Sequence, residues 1–386
     1  VPDELTQPGL TPAAPVRDAP APPAVPPAAP PVANGTAAAA GGGPSRRPSW
    51  LRAAVWSLVI LAAGTALGAA GYRLERTYLV QPPSVLKTAG DWHLSARPGH
   101  DLSGLGLSGR RLIWQDGASI EYLDLDEGTV RLLGPGAGMR ATWDPAISTR
   151  YAVWFEAERP ASVAAQAVAY DTVSGRRWTL GTVGSVRSFP ALSGDLAVWC
   201  SAVRLGRPQI LGARIGGTWA IPIADGDGAP VVSGGLVVWA SSWTGPFVAK
   251  DITSGVSWPV AASLTSGKLT GMALGGSTLV WGQAGTQIGS GVVAAVDVDG
   301  GGGQQTIASG VTGLAGPSYD GKTVVWAESS ASGSRVMARL PNSGAAVVVA
   351  RVDGAVTEVA VSDGTAAWIE KDAGSSYSIV VRRLPR

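Results

Sequence analysis

The chain has 386 residues, of which 53 are glycine and 15 tryptophan, with 15% charged residues and a formal net charge of +2. So small a charge, with no basic run interleaved with aromatics, excludes a nucleic-acid or polyanion partner. Few Lys and Glu against many Gly, Val and Trp disfavour long soluble helices and favour strands joined by tight turns, and the single cysteine, Cys200, excludes an intrachain disulfide and a cysteine-built metal site.

Residues 1–49 are dominated by Pro, Ala and Gly. They offer too little apolar side-chain area to offset the entropy of ordering and are expected to be disordered, a plain spacer. From Ala53 to Tyr72 (AAVWSLVILAAGTALGAAGY) twenty residues pass without a charge, the length of a helix that spans a bilayer core. Arg46, Arg47 and Arg52 flank one end and Arg73, Arg76 and Lys87 the other, so charge alone does not orient the span. The expectation is an uncleaved anchor with the chain beyond it outside the cytoplasmic membrane, a cleaved secretory signal being the rival. Gly64 and Gly68 make a GxxxG pair through which two such helices could pack into a dimer; chance spacing in a helix rich in small residues is the plainer reading. Residues 73–89 then read as a juxtamembrane tether.

From Gly90 to the end one signal dominates. Tryptophans stand at 114, 154, 199, 239, 281, 326 and 368, each closing an apolar run such as DLAVW or GLVVW. Before them come turn pairs, among them Ser108-Gly109, Ser193-Gly194 and Ser233-Gly234, and nine residues before four of them lies a proline: Pro145, Pro190, Pro230 and Pro317. A period of 40 to 45 residues built of strands and turns predicts a propeller of four-stranded blades, and seven units account for residues 90–386. Asp and Gly four apart (Asp124/Gly128, Asp171/Gly175, Asp251/Gly255, Asp297/Gly301) predict the turn between third and fourth strands, as turn chemistry rather than calcium ligands. After Trp368 the chain has room for a third strand but no fourth. Asp91-Trp92-His93-Leu94 repeats the fourth-strand pattern seen at Trp178, Trp219 and Trp258, so the N-terminal strand is expected to complete the last blade and remove the open edges. The fold class is thus all-β, a seven-bladed β-propeller over 90–386, preceded by one transmembrane helix and a disordered tail. The periodic tryptophans are expected to fill the wedges between blades.

The runs FPALSGDLAVW (189–199) and APVVSGGLVVW (229–239), with the Asp-x-x-Ser-Gly turns at 171–175 and 251–255, resemble the TolB-like, WD-repeat-like propeller repeats of cell-envelope proteins. The resemblance covers about three-quarters of the chain; it departs from TolB in having Ser-Gly where that pattern has Ser-Pro-Asp-Gly, and seven units where TolB has six. It implies shared architecture and a surface or periplasmic habitat.

Catalytic machinery is not evident in the sequence. The histidines are His93 and His100, both beside the closing strand, and no HExxH, P-loop or paired-cysteine motif occurs. The expectation is a binding protein with no catalytic, cofactor-binding or metal residues. The loops after each signature tryptophan vary in length and composition, which on a repeat protein marks the binding side. Within them Glu156, Glu158, Arg159, Arg204, Arg207, Trp243 and Phe247 offer charge and aromatic surface for a protein or surface-glycan ligand. The leading reading is a membrane-anchored, extracytoplasmic recognition or scaffold module. The alternatives are the sensor part of a receptor-type signalling protein, whose kinase would lie outside these residues, and a propeller hydrolase or lyase, disfavoured by the scarcity of acid–base groups.

Overall fold

A computed structural model describes residues 84–385 except 89, 160–163, 187–188, 203–207, 218–219, 227, 242–244, 263, 265–266 and 342. The tail 1–49, the span 53–72 with Gly64 and Gly68, and most of the tether lie outside the described residues. Among the described residues, no helix is long and apolar enough to cross a membrane.

Thirty strands among the described residues form seven antiparallel sheets. Blade 1 runs Leu102–Ser108, Arg111–Asp116, Ser119–Asp124 and Thr129–Gly134, each strand pairing with the next. Blades 2 to 6 follow over 141–183, 185–225, 230–259, 268–311 and 315–352. Blade 7 takes Ala355–Ser362, Thr365–Lys371 and Tyr377–Arg383 from the C-terminal end, and Asp91–Ser95 as its fourth strand. In that pairing His93 stands opposite Val380 and Leu94 opposite Ile379. The Asp91 carboxylate accepts hydrogen bonds from Arg382 Nε and Nη2 at 3.0 and 2.6 Å. A fifth strand, Val85–Lys87, pairs outside it and covers the remaining edge, so the blade begins a few residues earlier than the repeat pattern indicates. The first strand of every blade touches that of the next, and blade 7 touches blade 1, so the ring is closed.

Each signature tryptophan is at most 4% exposed. Seven apolar clusters occupy the seven interfaces between blades, and each tryptophan lies in the interface with the preceding blade. Trp154 packs among Ile113, Ile120 and Tyr122 of blade 1, and Trp114 among Ile369, Ile379 and Val381 of blade 7. The middle strands are buried on both faces, which is why they read as unbroken apolar runs rather than alternating ones. The fourth-strand tryptophans act on the other side. Trp92 reaches the Asp124–Gly128 turn of blade 1, and Trp258 Nε1 donates to the Val298 carbonyl of blade 5 at 2.9 Å.

The Ser-Gly turn pairs have a structural task. The glycine takes φ near +60°, which few other residues tolerate. Its N–H then donates to the turn serine of the preceding blade: Gly234 to Ser193, Gly276 to Ser233 and Gly109 to Ser362, at 2.9, 2.9 and 2.8 Å. The last of these joins blade 1 to blade 7. The aspartates of the third turns accept the amides two and three residues on, as Asp171 does from Val173 and Ser174 and Asp251 from Thr253 and Ser254.

Candidate functional site

Antiparallel pairing places the loops between second and third strands at the same end of the ring as the connectors between blades. This loop face opens onto two cavities. The axial channel, about 1040 Å³, is lined by first strands of all seven blades, with Phe189, 56% exposed, on its wall. Bulges interrupt the pairing of several first strands, and the repeat prolines Pro145 and Pro317 sit at two of them. At the bulge of blade 2, Asp144 is held at φ +58°. Burial, reinforced by the Glu358 carboxylate, pushes Asp144 up to about 7. Glu358 of blade 7 is also raised by burial, against which its two oxygens accept the N–H groups of Leu105 and Gly104 at 2.7 and 3.0 Å. Gly104 is required between the two acids, because a Cβ there would lie 2.4 Å from the Pro145 ring.

The second cavity, about 970 Å³, lies where the ring closes. Its walls are the blade 7-to-1 connector (Arg97, His100, Asp101), the end of blade 6 with the connector that follows it (Arg351, Asp353) and the blade 7 hairpin (Lys371, Tyr377). Beneath it lies a charge cluster. Asp116, from the second strand of blade 1, is fully buried; its Oδ1 meets His100 Nδ1 at 2.7 Å and its Oδ2 faces Arg97 Nη1 at 3.2 Å. The Arg97 guanidinium also bonds Glu121 of the third strand. Burial pushes Glu121 up to about 7, with Asp116 adding to the rise and Arg97 opposing it. His100 is 40% exposed, so its ring couples the buried carboxylate to the cavity.

The residues expected to bind a ligand are distributed differently. Two of the second strands run three residues beyond their tryptophans, which are the fourth of seven residues in Tyr151–Ala157 and Leu196–Ala202. Glu156 is therefore a buried strand residue. It accepts from Trp154 Nε1 at 2.7 Å and Gly136 N at 3.1 Å, and pairs with Arg177. Phe247 is likewise fully buried, edge-on to Trp281 at 5.2 Å between ring centroids. These two are packing residues, not accessible loop positions. Glu158 and Arg159 are exposed neighbours at the start of the blade 2 loop, while Arg204, Arg207 and Trp243 lie outside the described residues. Asp116 and Glu121 escape a reading by loops because both sit in apolar strands. A signal for Glu156 was present: Trp-x-Glu recurs at 154/156, 326/328 and 368/370, and all three tryptophans donate Nε1 to that glutamate.

No protein-family model matches the chain, and no curated protein matches it in sequence. Solved structures do. The β-propeller domain of the trilobed protease from Pyrococcus furiosus aligns with TM-score 0.58 at 10% identity, covering 73% of this chain and 95% of that one. Oligogalacturonate lyase in complex with manganese aligns with TM-score 0.56 at 13% identity, over 79% of this chain and 97% of that one. The chain is a seven-bladed β-propeller. TolB from Acinetobacter baumannii is also among its structural neighbours, with TM-score 0.44 and 12% identity over 69% of this chain, which spans 60% of the TolB chain. The protease propeller is described as having an open velcro topology; here the last blade instead joins strands from both ends of the described chain.

Proposed function

We propose that this propeller is a recognition module of the cell envelope, held at the membrane by residues 53–72 and presenting its loop face to a protein or surface-glycan ligand. One observation carries the reading. The opposite face is built from repeating Ser-Gly and Asp-Gly turns whose polar groups are spent within and between blades. The loop face instead opens a large polar cavity at the closure, lined by non-repeating charged groups of both signs. Such a surface, with charge of both signs at its rim, suits recognition by electrostatic complementarity.

The test is capture of envelope proteins and of arrayed glycans by the full chain, with charge reversals on each face. Arg351→Glu with Lys371→Glu should weaken capture by at least about tenfold, while Arg110→Glu on the turn face leaves it unchanged. Loss with the turn-face variant, or full retention with the cavity pair, contradicts the reading. A catalytic reading has one observation in its favour, the His100–Asp116 couple at the cavity floor. It requires that His100→Asn abolish turnover of a candidate substrate while leaving its capture intact.

A further inference from the structure

The walls of the axial channel are mostly apolar. Leu105, Leu107, Leu192, Val231, Met272 and Leu314 line it and are each only half-buried, so hydrocarbon that the interfaces between blades leave uncovered faces the channel. Phe189 adds an exposed aromatic ring just ahead of the first strand of blade 3. Apolar surface held against water inside a closed ring favours an apolar occupant. The polar side chains of the wall are largely spent on joining blades. Thr270 Oγ1 of blade 5 donates to the Gly316 carbonyl of blade 6 at 2.9 Å, and Ser318 Oγ of blade 6 accepts from Val361 N of blade 7 at 3.1 Å. The two Glu358 oxygens of blade 7 take the amides of Leu105 and Gly104 in blade 1. Burial raises the Glu358 pKa against those two bonds, which favours the uncharged acid in the middle of the channel.

Lys268 is the exception. It is the first residue of the inner strand Lys268–Gly275, so it stands at the loop-face mouth of the channel, where it is exposed and makes no ion pair among the described residues. Glu358, the fourth residue of its strand, lies further in. A cation at the entrance above apolar walls is complementary to a ligand with an anionic head and an apolar tail. We infer that the axial channel binds an anionic amphiphile, a linear hydrocarbon chain that enters at the loop face, lies along Leu105, Leu192 and Met272, and leaves its head on Lys268. Such a chain asks for no hydrogen bonds, which suits walls whose polar side chains are committed to neighbouring blades. The volume of about 1040 Å³ stands at the upper end of the roughly 300–1,000 Å³ usual for small-molecule sites. The channel site stands apart from the closure cavity, so either can fail without the other.

The experiment incubates the full chain with a palmitic acid analogue that carries a photoactivatable diazirine in its chain, and maps the adducts by peptide mass spectrometry. Adducts are expected on the first strands at Leu105, Leu192 and Met272, and excess unlabelled palmitate should displace them. Lys268→Glu should lower their yield by at least about fivefold, while Lys322→Glu, at an exposed position of the turn face, leaves it level. Thr357→Trp fills the channel from an exposed wall position and should abolish the adducts. Lys268→Glu needs no repacking and carries the test if that variant does not fold. A phosphatidylglycerol bearing the same diazirine chain separates the sources: labelling by both probes assigns the site to a membrane lipid, and labelling by the fatty acid alone to a free acid. Three results overturn the proposal: no adducts on the channel strands, an unchanged yield in Lys268→Glu, or displacement by acetyl-trileucine peptide as complete as that by palmitate.

Discussion

Each signature tryptophan fills a wedge that the preceding blade cannot close alone, so truncation leaves a cavity with no side chain able to collapse into it. Trp281→Ala is expected to cost about 3–5 kcal/mol in chemical denaturation, the range for burying and then removing a large aromatic. At the same scale, Glu156 and Glu158 should separate cleanly although they are two residues apart. Glu156→Ala leaves the buried Trp154 N–H and the Gly136 amide without their acceptor, while the exposed Arg177 turns to water, and should cost about 1–3 kcal/mol. Glu158→Ala, on the exposed loop, should stay within about 0.5 kcal/mol. Denaturation of the two variants side by side checks this, and equal values would mean that Glu156 is not held as described. The contrast shows where sequence reading reaches its limit for single residues. An acid just after an apolar run looks like the first residue of a loop. Only the indole donor beside it, fixed by the register of the neighbouring strand, makes burial favourable.

Elements were more legible than sites. The repeat of apolar runs, Ser-Gly pairs and Asp-Gly turns identified the four strands of each blade, because each feature answers to a local requirement: burial on both faces, a left-handed glycine, an aspartate bonding its own turn. The closing strand was legible for the same reason, since Trp92 carries the contact that Trp258 makes elsewhere in the ring. The short outer strand Val85–Lys87 was not. Three residues without alternation or a turn signal acquire strand structure from the edge they cover. The closure cavity was not legible either, because it is assembled from the connectors and hairpin that depart from the repeat. Deleting residues 90–99 removes the closing strand, its Asp91–Arg382 pair and the ion pairs of Arg97 with Asp116 and Glu121 together. The thermal midpoint of the whole domain should fall by well over about 10 °C, given that an exposed apolar edge and a broken buried ion pair each cost several kcal/mol. An unchanged midpoint in thermal unfolding would mean that the ring does not depend on this strand.

For the molecule as a whole, acids raised by burial shape the response to pH, and Glu358 joins Glu121 and Asp144 among them. Glu121 and Asp144 are both pushed up to about 7 by burial, so each favours the fold in its protonated form. That contribution is fully present below the ordinary carboxylate range and is lost progressively as pH rises to about 7, so stability should decline between about pH 5 and 7 and level off above. Asparagine keeps the left-handed backbone of Asp144 without the charge, and Asp144→Asn should therefore raise stability at about pH 8 by on the order of 2–4 kcal/mol. Asp171 behaves in the opposite sense. Its hydrogen bonds from Arg150, then those from Ser174 and Val173, hold its carboxyl well below the ordinary range, so its contribution disappears only in strong acid. A stability profile that rises from about pH 5 to 7 would contradict the placement of both raised acids.

Every functional statement above rests on the ring being closed by the N-terminal strand in one register, since that closure creates the cavity and places Arg97 and His100 over blade 1. The register can be measured directly. His93 and Val380 stand opposite each other in the closing pair, and directly opposed positions in antiparallel strands bring Cβ atoms to about 4.5–5.5 Å, close enough for a disulfide after small adjustment. In a Cys200→Ala background, the pair His93→Cys with Val380→Cys should cross-link under mild oxidation and migrate faster on a non-reducing gel. The pair one residue out of register, His93→Cys with Val381→Cys, should remain reduced, since its side chains point to opposite faces of the blade. Failure of the first pair to cross-link, or cross-linking of the second in its place, would contradict the closure.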